Sequence, residues 1–190
     1  TGMGLERLTR VIQGTETDYE TDLFELIMKD VPQMLGGPKL RNRPQEIAAM
    51  RAIADHMRAA VFLLSEGRLP SNESRGYVLR MLIRRSYRLA RAVLGMEPQM
   101  GPDSLVGLTV SVEESMRQSP YYQTLVEKRD VIRRALRQEL IQFASTLESG
   151  TVRLEEVIRQ SQGSGSISGE EAFKLYDTYG FPLELTIDIA

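Results

Sequence analysis

The chain has 190 residues, enough for one or two domains, and its 24 cations against 26 acids leave a formal charge of -2. Hydrophobic residues make up 42%, so a core can form; the lack of cysteine excludes disulfides and thiolate metal sites, and His56, the single histidine, argues against a histidine zinc site. There is no long apolar run and no secretory leader pattern, so a soluble, cytoplasmic protein without membrane contact is expected, and the abrupt Gly2-Met3-Gly4 start reads as a piece of something longer.

Helical periodicity dominates. Leu5, Leu8, Val11 and Ile12 predict a short helix stopped by Gly14. Thr21 or Asp22 is placed to cap a second helix through Leu35, broken by Gly36-Gly37-Pro38. Pro44 suits the first turn of a third helix, whose stripe Ile47, Met50, Ile53, Met57, Val61 and Leu64 stops at Gly67. A loop over 68–73 leads into a fourth, arginine-rich helix ending near Gly95. A turn follows at 98–101, and a fifth helix is expected over 103–118. Pro120 opens a long helix to about residue 160. Its buried stripe is Leu125, Val131, Ile132, Leu136, Leu140, Phe143, Leu147, Leu154 and Ile158, and Gly150 is the place for a kink or break. A Gly/Ser loop over 162–166 precedes a last helix over 170–179, capped by Ser168 and closed by Gly180 and Pro182. Little reads as strand, apart from a stub ahead of Gly4. The class is mainly α.

Residues 74–91 carry Arg75, Arg80, Arg84, Arg85, Arg88 and Arg91 and no acid. In a nearly neutral chain this gathers a local positive field, and an RNA or DNA backbone is its natural target. Arg80, Arg84, Arg88 and Arg91 stack along one side of a helix. Leu79, Leu82, Ile83, Leu89, Ala90 and Val93 fall mostly on the other and pack inward. A guanidinium fork can hold a phosphate with two hydrogen bonds, which an ammonium cannot match. The competing reading is a solvated charged face held by ion pairs. The segment itself offers no acid for those pairs.

Three separated stretches resemble one family. Thr1-Gly2-Met3-Gly4-Leu5-Glu6-Arg7-Leu8 is similar to the third signature motif of class II aminoacyl-tRNA synthetases. Alone, Gly-x-Gly-x-x-Arg is weak and equally fits a turn before an ordinary helix. Ile53-Ala54-Asp55-His56, then Leu69-Pro70-Ser71-Asn72-Glu73-Ser74-Arg75-Gly76-Tyr77-Val78-Leu79-Arg80 and Ile83-Arg84-Arg85, closely resemble the alanyl-tRNA synthetase family. So does Phe173-Lys174-Leu175-Tyr176-Asp177-Thr178-Tyr179-Gly180-Phe181-Pro182. These two stretches are long and specific, and their order and spacing agree with the family.

The resemblance implies the last strand and helix of a class II aminoacylation core over 1–20. A helical tRNA-recognition domain follows over 21–190. It implies a parent ligase that condenses alanine with ATP, with Mg2+ shared by the phosphates, and passes alanine to the 3′ end of tRNA(Ala). The first two class II motifs would lie upstream, and editing and oligomerisation regions downstream. The piece alone is expected to be inactive and to hold no metal.

The resemblance also assigns residues. Arg7 would stack on the ATP adenine and reach its terminal phosphate, while Gly2 and Gly4 let the backbone approach the nucleotide. Glu6 would support the fold. Asn72 and Asp177 match the family residues that read a G·U wobble pair in the acceptor stem. A-form RNA exposes its minor groove, where the wobble guanine leaves its 2-amino donor unpaired. A carboxylate is the natural acceptor for it, and an amide can donate to one base and accept from the other. Read without the family, Asn72 caps the arginine helix and Asp177 caps a turn. Arg75, Arg80, Arg84, Arg85 and Arg88 would hold the stem backbone, orienting it while the base contacts specify it. Met81 departs from the pattern, since a second arginine is usual after Arg80, and Ser74 stands where glycine or asparagine is common. His56 reads as a semi-buried structural histidine, and Tyr176 and Tyr179 as packing residues rather than RNA stackers. The alternative is a non-catalytic helical RNA-binding or interaction module, and the upstream sequence would separate the two.

Overall fold

The computed structural model describes residues 2–36, 40–97, 100–160, 166–177, 181, 183, 186 and 187. Helices α1 (Leu5–Gln13), α2 (Glu25–Leu35), α3 (Pro44–Ser65), α4 (Ser74–Ala92), α5 (Gly101–Ser115), α6 (Tyr122–Gln160) and α7 (Gly169–Asp177) follow in order. Among the described residues no strand forms, in agreement with a mainly α class. Residues 2–4, where a strand stub was expected, have no regular structure.

Local chemistry sets the helix ends. Gly14 closes α1 in the left-handed region at φ 66°, where a Cβ is costly. Pro44 opens α3, and Glu46 accepts the backbone N–H groups of Arg41 and Arg43 at 3.0 and 2.9 Å. Ser168 Oγ accepts the Glu171 N–H at 3.2 Å, the cap expected for α7. The start of α2 differs from expectation. Thr17 and Glu20 close a capping box around a 3-10 turn, Asp18–Glu20. The Thr21 hydroxyl is then used on the Asp18 carbonyl at 2.6 Å, and α2 begins only at Glu25. The fifth helix begins at Gly101, ahead of the expected 103, with Pro102 in its first turn.

The chain divides into two units, residues 1–140 and 141–190, with the division inside α6. In the first unit α2 packs mainly on α5 and α3 mainly on α4. Phe24, Ile27, Ile53, Met57, Leu79, Ile83, Leu105 and Leu108 are buried there, each worth about 1.5–3 kcal/mol if wholly withdrawn from water. The first half of α6 adds Leu125, Ile132 and Leu136. Val131, expected in that stripe, is exposed, because one residue turns a helix by roughly 100°. Polar ties fix the same stretch. Arg129 grips Glu113 with both arms of its fork, Lys128 Nζ donates to the Ser65 carbonyl at 2.6 Å, and Arg137 pairs with Asp103 at 2.7 Å.

The second unit has its own small core, Leu154, Leu175 and Phe181, flanked by Leu147, Ile158 and Ile167. Gly150 does not break α6. It makes room for Phe181, whose ring carbon would lie 2.1 Å from a Cβ at position 150.

Candidate nucleic-acid interface

The loop before α4 is folded back on the helix it precedes. Ser71 N–H donates to the Gly76 carbonyl at 3.1 Å. Its hydroxyl donates to the Glu73 carbonyl at 3.0 Å and accepts the Glu73 N–H at 3.3 Å. Gly76 is required for this fit, since a Cβ there would sit 2.2 Å from Ser71 Oγ and 2.7 Å from the Leu69 carbonyl oxygen. Ser74 has φ 51°, a left-handed conformation that glycine or asparagine adopts more readily than serine. Arg68, Ser71, Ser74, Arg75 and Gly76 are among the residues around an open hollow at this point.

This clamp presents Asn72 at the surface. Asn72 does not cap α4: Glu73 holds the N-cap position and no side chain caps the helix. Instead Asn72 Oδ1 accepts a hydrogen bond from Arg80 Nη1. Arg80 Nε lies 3.3 Å from Glu139 Oε1, and Arg84 Nε donates to the same oxygen at 2.7 Å. Glu139 is 4% exposed. The acid missing from the arginine segment therefore arrives from α6, 55 residues away from Arg84.

The arginines consequently divide. The side chains of Arg80 and Arg84 are only 18% and 21% exposed and turn toward Glu139. Arg88 and Arg91 are half-buried, while Arg75 and Arg85 are exposed. The outward face of α4 carries Tyr77, Val78, Met81 and Arg85. Leu79, Ile83 and Ala90 face inward as expected, joined by Ser86 and Tyr87. His56 on α3 is half-buried, and its Nδ1 has no hydrogen-bond partner among the described residues. Burial, then the field of Arg85, lowers its pKa from 6.5.

At the other end of the chain, α1 buries no residue. Met3, Leu5, Leu8, Val11 and Ile12 leave an apolar face open. Arg7 is exposed, and the space around Gly2 and Gly4 is nearly empty. Glu6 accepts a hydrogen bond from Arg58 of α3 at 2.8 Å, which lowers its pKa and ties α1 to the bundle. Asp177 is the last residue of α7. Its side chain lies outside the described residues, as do Thr178, Tyr179 and Gly180. Tyr176 is exposed. Periodicity and composition do not reveal Glu139 as a partner of α4; the signal for the clamp lies in Ser71-Asn72-Glu73-Ser74-Arg75-Gly76, where a serine and a glycine five residues apart allow the loop to fold back.

Comparison with known proteins decides the family. The model of the tRNA synthetases class II (A) matches residues 1–190. The chain belongs to the class II tRNA synthetases (A). This synthetase chain is 45% identical over 191 residues to the alanine–tRNA ligases of Staphylococcus aureus strains JH9 and Newman. The match covers 100% of the chain and 21% of each relative, so the chain spans about a fifth of the length of the curated relatives it matches.

Proposed function

We propose that this chain is the part of an alanine–tRNA ligase that completes the ATP site and reads the acceptor stem of tRNA(Ala). The observation that carries the reading is Asn72, held out on a clamped loop with its oxygen fixed by a partly buried cation and with exposed Arg75 and Arg85 on the helix that follows. Such a group is built to meet a surface in one orientation. The minor groove of an A-form stem is a wide surface that offers base edges to it. Asn72 and Asp177 are the readers of the wobble pair: the Asp177 carboxylate accepts from the guanine 2-amino group, and the Asn72 amide contacts the neighbouring edges. A carboxylate near RNA phosphates is repelled unless a base donor compensates, so this contact favours the wobble pair.

Arg75 and Arg85 hold phosphates of the stem, with Arg88 behind them. Arg80 and Arg84, tied to Glu139, support that surface from within. Residues 1–20 complete the aminoacylation core, with the open apolar face of α1 packing against the rest of it. The residues present fit a nucleotide: Arg7 is exposed, and Gly2 and Gly4 leave the backbone accessible. Arg7 orients ATP and offsets charge as pyrophosphate leaves. No cluster of His, Asp or Glu able to hold a metal occurs among the described residues, and Mg2+ would enter with the ATP phosphates of the parent ligase. Among the described residues no helix is long and apolar enough to cross a membrane, and the proposed place of action is the cytoplasm.

The reading is tested by titrating the chain with acceptor-stem minihelices that differ in one pair. A wobble-bearing stem should bind more tightly than its Watson–Crick counterpart at every salt concentration. Equal affinities would favour a non-specific RNA-binding module.

A further inference from the structure

Asn72 is an ambiguous reader on its own, because an amide shows a donor on one side and an acceptor on the other. At an exposed loop tip it would sample both flips. A guanidinium has donors only, so whichever amide atom faces Arg80 must be the oxygen. Arg80 Nη1 occupies Asn72 Oδ1. The Nδ2 group, with its two protons, is thereby turned away from Arg80. Minor-groove edges carry acceptors, purine N3 and pyrimidine O2, in every pair. The wrong flip would set oxygen against oxygen there. A wobble pair displaces its uracil toward the major groove, so its acceptors lie at a different spacing and a donor held in one place tells the two pairs apart.

Arg80 is itself fixed. Its Nε has no hydrogen-bond partner among the described residues, yet lies 3.3 Å from Glu139 Oε1, so the tie is Coulombic rather than directional. Glu139 is held from the other side by Arg84. A cation that is only 18% exposed and engaged at both ends is poorly placed to take a phosphate.

We infer that Arg80 and Glu139 are positioning residues that set the Asn72 amide with its N–H donors toward the RNA, so that Arg80 acts on specificity through Asn72 and not on the RNA backbone. This rests on the acceptor-stem reading above. The relay runs from a buried acid on α6 through a half-hidden cation on α4 to a surface amide.

The test titrates the chain with wobble and Watson–Crick minihelices across a salt series. Arg80→Ala should cut the wobble preference by roughly five-fold or more, the low end for a lost base contact, with the salt slope unchanged. Glu139→Gln, which keeps the shape and removes the charge, should shift the preference in the same direction. Arg80→Lys should restore part of it. In the Asn72→Ala background, Arg80→Ala should have no further effect on preference. A slope that falls by about one unit with both stems weakened equally would make Arg80 a phosphate ligand and overturn the proposal. So would additive losses in the double variant. A separate NMR measurement stands apart from RNA binding. The Asn72 side-chain amide signals, assigned by their loss in Asn72→Asp, should move in Arg80→Ala and in Glu139→Gln. Unmoved signals overturn the relay. A wild-type chain without wobble preference sinks the acceptor-stem reading instead, and the amide signals still decide the relay.

Discussion

Gly150→Ala should destabilise the chain even though it replaces glycine within a helix. In an ordinary helix interior the change stabilises by about 1 kcal/mol, because alanine loses less backbone freedom. Here the new methyl would lie 2.1 Å from Phe181 Cδ2, 2.8 Å from Cγ and 3.0 Å from Cβ. Carbon atoms rest at about 3.5–4.0 Å, so the ring must retreat by roughly 1.5 Å. Phe181 is fully buried, with its N–H bound to the Leu175 carbonyl at 2.9 Å, and has no slack to give. Overpacking of this kind costs about 1–3 kcal/mol and can exceed the helix gain. Each net kcal/mol lowers Tm by roughly 2–4 °C at this chain length. Thermal and urea unfolding measure it. Phe181→Ala removes the clash at its own cost of about 3–5 kcal/mol. On that background Gly150→Ala should become stabilising by about 1 kcal/mol. A Gly150→Ala variant that is more stable than wild type would refute the close approach, and with it the reason α6 carries a glycine at this point.

The Arg129 fork holds the Glu113 carboxyl below its usual 4.5, so the pair's contribution is present above that pH and lost as pH falls through the lowered pKa. Glu113→Gln should therefore lower Tm at neutral pH, with the gap to wild type closing in acid; a gap that does not depend on pH would deny the ion pair. Arg85→Ala should weaken every acceptor stem and flatten the log–log salt slope by roughly one unit, and Met81→Arg, on the same outward face, should steepen it by about as much. An unchanged slope in both variants would take the RNA off this face. His56 is the single histidine, so its NMR titration is unambiguous. Its midpoint should lie below 6.5 and rise in Arg85→Ala, and a midpoint indifferent to that change would place Arg85 elsewhere.

Much of this fold is legible in the sequence, because its punctuation is local. Gly14, Pro44, Ser168 and the apolar stripes of α3 and α6 act within a turn or two of themselves. The start of α2 was legible in principle as well, in the Thr17–Glu20 spacing, but a three-residue turn leaves no periodicity to draw attention to it. Glu139 was not legible. The arginine segment contains no acid, and nothing in a helical wheel says which distant acid will meet Arg80 and Arg84. Gly150 shows the same limit, since a kink and a close approach look alike until the partner, Phe181, is in place. Of the site, the residue types on the loop and α4 were readable, whereas the division between engaged and exposed arginines depended on packing against α6.

The central claim is that Asn72 and Asp177 read a base pair. The direct measurement is kcat/KM for charging wobble-bearing and Watson–Crick tRNA by the full-length ligase of which this chain is proposed to be a part, with Asn72→Ala and Asp177→Ala. Each variant should lose about 1–3 kcal/mol of transition-state stabilisation on the wobble substrate. The Watson–Crick substrate should change much less, so the ratio between the two shrinks. The unfolding free energy of Asn72→Ala should stay within about 0.5 kcal/mol of wild type, since Asn72 is exposed and caps no helix. Equal losses on both substrates, accompanied by a lowered Tm, would make these residues structural and contradict the account.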